Sequence, residues 1–145
     1  MPERAAALIQ RVTQRRGTRQ FVKFAIVGTS GFLVNLAVFT LLQLPLTTTE
    51  RQSWYYLIFS IAFLAGGVSN YFLNRIWTFR STGNALTEGV KFLTVSGIAL
   101  CVSLLVSYLA SPVLGKGHKL WFVSTCAGIL VNFFVNKYWT FRSVL

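Results

Sequence analysis

At 145 residues the chain is long enough for one domain, yet 54% of it is hydrophobic and only 12% is charged, far below the charged share of a soluble domain. A water-soluble protein of this size has too little interior to hide so much apolar surface, so lipid is the solvent that fits the composition. The net charge of +11, from 14 Lys or Arg against three Glu, calls for an anionic partner. The charges flank apolar runs and form no basic face of their own, which argues against nucleic acid and for anionic lipid headgroups or lipid phosphates.

Residues 1–20 form a basic segment ahead of a membrane domain at 21–145. Within it, residues 2–16 can make an amphipathic helix. Ala5, Leu8, Ile9 and Val12 share one face, and Arg4, Arg11 and Arg15 share another. Such a helix would lie on the cytoplasmic leaflet and end at Gly17. The alternative is a basic tail that only sets topology. A cleavable signal peptide is not expected, because the next apolar run has full spanning length and no small-residue cleavage site comes after it.

About 20 helical residues cross a hydrocarbon core, and lipid admits only segments that satisfy their own backbone hydrogen bonds. Four spans are predicted: Phe24–Leu44, Trp54–Leu73, Phe92–Ser111, which stops before Pro112, and Leu120–Val135, extended to Trp139 at the interface. Basic residues mark sidedness. Arg4, Arg11, Arg15, Arg16, Arg19, Lys23, Arg75, Arg80, Lys91, Lys137 and Arg142 fall on one side, and Arg51, Lys116 and Lys119 on the other. Both termini are therefore expected in the cytoplasm, and neither outer loop can hold a catalytic domain.

The spans are also duplicated. Val22-Lys23-Phe24 returns as Val90-Lys91-Phe92, with Gly28, Gly31 and Asn35 matched by Ser96, Ala99 and Ser103, and Ser107 one turn on. Residues 70–81, NYFLNRIWTFRS, return at 132–143 as NFFVNKYWTFRS, and Gly66 returns as Gly128. Each repeat is one helical hairpin and contains an even number of spans. The predicted fold is thus an all-α membrane protein of four transmembrane helices, arranged as two parallel-repeat hairpins.

At α-helical spacing Gly66, Asn70, Asn74 and Trp77 share a face, as do Gly128, Asn132, Asn136 and Trp139. Such small and amide residues pack membrane helices closely, or they line a polar vestibule. Lys23, Asn70, Asn74, Arg75, Trp77, Arg80 and Lys91, with Asn132, Asn136, Lys137, Trp139 and Arg142, are the candidate lipid-phosphate and sugar-binding residues. Arg grips phosphate bidentately and Lys as a point charge, and Trp77, Phe79, Trp139 and Phe141 lie between them. The competing reading is an ordinary interfacial belt of aromatic and snorkelling basic residues.

No catalytic constellation and no metal site is expected. Neither acid nor base falls within a predicted span. His118 reads as an exposed loop residue, Glu88 as a partner for Lys91 one turn away, and Cys101 and Cys126 as small hydrophobes.

Residues 21–39, FVKFAIVGTSGFLVNLAVF, and the twin segments SNYFLNRIWTFRS (69–81) and VNFFVNKYWTFRS (131–143) resemble the GtrA-like membrane proteins across residues 21–143. The resemblance implies a non-enzymatic translocase, or flippase, of a polyprenyl-phosphate-linked monosaccharide such as undecaprenyl phosphate glucose. It places the chain in the bacterial cytoplasmic (inner) membrane, in cell-surface polysaccharide synthesis, beside a membrane glycosyltransferase and without a cofactor. A scaffold that anchors the glycosyltransferase is the alternative. Four spans are few for a wide pathway, so a homo-oligomer is also expected. The resemblance assigns Asn70, Asn74, Arg75, Trp77, Phe79 and Arg80 to one motif copy, and Asn132, Asn136, Lys137, Trp139, Phe141 and Arg142 to the other. Lys137 in place of Arg, and Ser103 in place of Asn, make the halves unequal.

Overall fold

A computed structural model describes residues 2–78 and 80–140, without the side chains of residues 20, 21, 137 and 140. Phe79, Phe141 and Arg142 therefore lie outside the described residues, and so does the Lys137 side chain. The described chain is helical: α1 (Pro2–Gln43), a short α2 (Thr48–Ser53), α3 (Tyr55–Leu73), α4 (Ala85–Leu114) and α5 (His118–Val135). Two π-helical turns extend α3 and α5, at Asn74–Thr78 and Asn136–Thr140. Four of the helices are long and apolar enough to cross a membrane.

Two boundaries differ from expectation. Gly17 does not end a separate helix. Instead α1 runs unbroken for 42 residues, about 63 Å at 1.5 Å per residue, roughly twice the hydrocarbon thickness. One glycine costs a helix only about 1 kcal/mol, and a spanning helix that is already nucleated propagates cheaply through it. Likewise α4 continues through Pro112 to Leu114. Pro112 lacks the N–H that would bond the Tyr108 carbonyl, and the Ser111 hydroxyl donates to that carbonyl instead, at 2.9 Å.

The α1–α3 and α4–α5 pairs pack most closely, while α3 and α4 touch more sparsely. Glycine sets the close approach. A Cβ on Gly66 would lie 2.6 Å from the Gly31 carbonyl oxygen and 3.0 Å from Asn35 Cβ. A Cβ on Gly128 would collide with Ser103 Oγ and meet the Phe63 ring at 2.7 Å. Gly28, expected to help this packing, has open space at its Cβ position. Between α1 and α5 the spacing is wider and filled by rings: Phe39 stacks on Trp121 at 5.8 Å, Phe32 meets Trp121 at 5.1 Å, and Phe24 meets Phe133 at 5.0 Å.

The main core gathers at the end where α1 stops and α3 and α5 begin, called here the far end. Phe39, Tyr55, Ile58, Phe59, Phe63, Leu120 and Trp121 are buried there. The Thr47–Glu50 capping box fixes α2 over it, with Thr47 Oγ1 accepting from Glu50 N while Thr47 N–H donates to Glu50 Oε2. Two donors, the Thr47 backbone N–H first and the Thr47 hydroxyl second, hold the Glu50 carboxyl below its ordinary pKa. His118 is exposed as expected, but it opens α5 and does not sit in a loop; its Nε2 lies 3.2 Å from Thr40 Oγ1.

Candidate functional site

The opposite end of the bundle, the motif end, carries both π turns. Each begins where one backbone N–H is shared between two carbonyls: Asn74 N–H with Asn70 and Tyr71, and Asn136 N–H with Asn132 and Phe133. A π turn takes about one extra residue relative to an α turn, so side-chain register changes after each asparagine. The expected face of Gly66, Asn70, Asn74 and Trp77 is corrected accordingly. Asn74 and Thr78 are the buried pair, 2% and 4% exposed, with Thr78 Oγ1 donating to Asn74 Oδ1 at 2.8 Å. Trp77 turns outward and is 40% exposed, and Lys23 from α1 reaches it. Lys23 Nζ sits 5.2 Å from the Trp77 ring centre and 3.4 Å from its carbonyl oxygen. Trp139 of the second turn is also exposed.

The predicted cations divide by their partners. Arg75 is paired: Nη1 bonds Glu88 Oε2, and Nη2 donates to the Gly83 carbonyl at 2.8 Å. Glu88 Oε1 also accepts from Ser81 Oγ. The expected Glu88–Lys91 pair is therefore replaced by a tertiary one that ties α3 to α4. The Tyr71 hydroxyl reinforces that tie by donating to the Ala85 carbonyl at 2.7 Å. Arg80 is exposed and left-handed, with φ 45°. The turn is closed by Ser81 N–H donating to the Arg75 carbonyl at 3.0 Å. Among the described residues neither Arg80 nor Lys91 has an acidic partner. Arg80, Lys91 and Lys23 are the cations that no described carboxylate neutralises at this rim.

Above the rim lies a cleft of about 20 Å³ between α1, α3 and α5, lined by Gly31, Asn35, Gly66, Asn70 and Asn132 together with Phe32 and Phe63. It has room for about one water molecule. Its amides are unequal. Asn35 Oδ1 accepts from the Trp121 indole N–H at 3.0 Å, a buried bond joining α1 to α5. Asn132 Oδ1 accepts from Asn136 Nδ2 at 2.6 Å. In the first motif copy Asn74 Oδ1 is engaged by Thr78 instead. Asn70 Oδ1 is left buried without a donor among the described residues. It occupies the space that a Cβ on Gly31 would fill. The cleft therefore offers one free acceptor suited to a hydroxyl.

The structure thus joins Asn70 and Asn132 in one cleft and gathers Lys23 and Trp77 at the rim. Asn74 and Asn136 become buried supports of the π turns. Sequence reasoning did not find the roles of Trp121, Thr78 and Glu88. Only Glu88 carried a signal, as the lone acid among the basic residues flanking the middle connection. No cluster of His, Cys, Asp or Glu able to hold a metal occurs among the described residues.

Comparison with known proteins gives a single result. No curated protein and no solved structure matches the chain. A family model described as GtrA/DPMS, transmembrane domain, matches residues 23–141. That range takes in the part of α1 from Lys23 on, all of α3, α4 and α5, and both asparagine–tryptophan π turns, and the chain belongs to the GtrA/DPMS transmembrane-domain family.

Proposed function

We propose that the protein is a translocase of a polyprenyl-phosphate-linked monosaccharide, with the motif end in the cytoplasm of a bacterial inner membrane. The observation that carries this reading is the layering at that end. Uncompensated cations at Lys23, Arg80 and Lys91 sit below an amide cleft whose Asn70 Oδ1 has no donor among the described residues. Cations suit the lipid phosphate, amides suit sugar hydroxyls, and the exposed apolar helix faces leave the polyprenyl tail in lipid. In this reading the two hairpins are parallel repeats about an axis along the membrane normal. The π turns then both face the cytoplasm, consistent with the basic residues on that side.

Transport is downhill, drawn by use of the sugar on the far side. The protein is not an enzyme itself, and a membrane glycosyltransferase supplies its substrate. A second copy of the chain widens the pathway.

The test separates this reading from a scaffold. In cells lacking the chain, wild type and Asn70→Ala are compared for polymer modification and for co-purification of the glycosyltransferase. Lost modification with the enzyme still bound supports translocation. Modification retained by Asn70→Ala favours the scaffold.

A further inference from the structure

We propose that buried hydroxyls along α4, with those facing them from α3 and α5, form a hydrated track for the sugar-phosphate headgroup through the bundle. The proposal deepens the translocase reading and rests on it for the identity of the cargo.

Ser96, Ser103 and Ser107 are 2%, 0% and 0% exposed. At spacings of seven and four they share one face of α4 and cover about 17 Å of its length. Ser124 and Thr125 of α5 are fully buried, and so, within 1%, is Tyr55 of α3. The Tyr55 hydroxyl faces Ser107, Ser103 Oγ points at Gly128, and Ser96 Oγ lies 3.6 Å from the Cβ position of Gly67, a residue of the amide cleft. The file thus leads from the cleft to the far end.

Ser96, Ser103, Ser124 and Thr125 have no hydrogen-bond partner among the described residues, and the Ser107 and Tyr55 hydroxyls have none besides each other. That absence is selective. Thr13, Thr18, Thr29, Ser30, Ser53, Ser60, Thr94 and Ser111 all donate to a carbonyl three or four residues earlier. The same back-bond is open to any helical Ser or Thr, yet the inward-facing ones do not make it. A buried hydroxyl without a partner costs about 1–3 kcal/mol, so an inward file of them favours a partner from outside the chain. Hydroxyls donate and accept and so serve phosphate oxygens as well as sugar hydroxyls, which the acceptor of Asn70 alone does not.

The track is shut in this structure, with Phe59 and Phe63 packed beside it. Each end of the sparse α3–α4 seam carries a tie. At the motif end it is Arg75–Glu88 with Tyr71 on Ala85. At the far end Gln52 Nε2 donates to the Lys116 carbonyl at 3.1 Å, and Lys116 Nζ lies 5.0 Å over the Tyr56 ring. Release of either tie opens the file to one side.

Single cysteines test the track in the full chain with Cys101→Ala and Cys126→Ala. Ser103→Cys and Ser107→Cys are compared with lipid-facing Leu105→Cys and the exposed control Ser53→Cys in α2, using a charged, membrane-impermeant methanethiosulfonate on vesicle-embedded protein. A thiol reacts as its thiolate, and each pKa unit added by an apolar surrounding lowers the rate about tenfold. The track predicts reaction at 103 and 107 at least about tenfold faster than at 105. Rates equal to that of 105 overturn it, whether or not the protein transports. In parallel, Ser103→Ala and Ser107→Ala, which keep side-chain size, should each slow headgroup movement about fivefold, the equivalent of one hydrogen bond of about 1 kcal/mol. Unchanged transport in the double variant also overturns the proposal. Labelling of the file in the cysteine variants, with a wild type that moves no polyprenyl-phosphate sugar, overturns the translocase reading, and the headgroup role with it.

Discussion

Gly66→Ala tests whether glycine sets the α1–α3 spacing. The new Cβ would stand 2.6 Å from the Gly31 carbonyl oxygen, against ordinary contact at 3.4 Å or more. The obstacle is backbone and cannot rotate away, so the helices must separate by about 0.8 Å, the difference between those two distances. A gap of that size forfeits a quarter to a half of each dispersion contact along the seam, and overpacking of this kind costs about 1–3 kcal/mol. The helix propensity of alanine returns up to about 1 kcal/mol, so with that gain in full the net loss is at most about 2 kcal/mol, and the variant should be about 1–3 kcal/mol less stable than one with the same propensity gain and no clash. Gly28→Ala is the internal control: nothing lies within 4 Å of its Cβ position, so the propensity gain of up to about 1 kcal/mol stands alone. Reversible unfolding in mixed detergent micelles, followed by circular dichroism, measures both variants against wild type. A Gly66→Ala protein as stable as Gly28→Ala would refute the reasoning.

Individual contacts carry three further predictions. Trp121→Phe leaves the buried Asn35 Oδ1 without its donor and should cost about 1–3 kcal/mol; Asn35→Leu in the same chain should recover part of that loss, and additive losses in a double-mutant cycle would count against the bond. Glu88→Gln weakens the partly buried tie to Arg75 and should cost about 1–2 kcal/mol, between exposed and buried pairs. It should also speed tryptic cleavage at Arg80, and an unchanged digestion rate would speak against the tie. For Glu50, the folded state holds the pKa down, so its contribution is present at neutral pH and fades as pH falls through the carboxylate range, about 4.3 and below. Amide exchange over residues 48–53 should therefore quicken in acid; Glu50→Gln should remove that dependence, and Thr47→Ala, which keeps the backbone donor and loses only the hydroxyl, should weaken it.

The four crossings were legible because hydropathy reports directly on lipid contact. The duplicated motifs were legible as paired strings of residues, and Asn70 and Asn132 do meet in one cleft. The side-chain register beyond Asn74 was not legible. Helical-wheel spacing assumes 3.6 residues per turn, and the π turn breaks that assumption inside the motif itself, exchanging Trp77 for Thr78 on the buried face. The Arg75–Glu88 pair was hidden for another reason: it spans a turn between helices, whereas sequence spacing offers only neighbours on one helix, such as Lys91. Asn35 was visible as a polar residue in a span, but its donor, Trp121, is 86 positions away. The length of α1 was missed because one glycine looked like a terminator, although its cost is small beside the continuity of a spanning helix.

The central claim is movement of a lipid-linked sugar, and reconstitution tests it most directly. Purified protein is placed in vesicles carrying undecaprenyl phosphate glucose in both leaflets, and impermeant periodate oxidises only outward-facing sugar. The account predicts that wild type exposes the inner-leaflet sugar as well, so nearly all of it is consumed, while Asn70→Ala slows the inner-leaflet phase. Consumption that stops at the outer-leaflet share with wild type, as in protein-free vesicles, would contradict it.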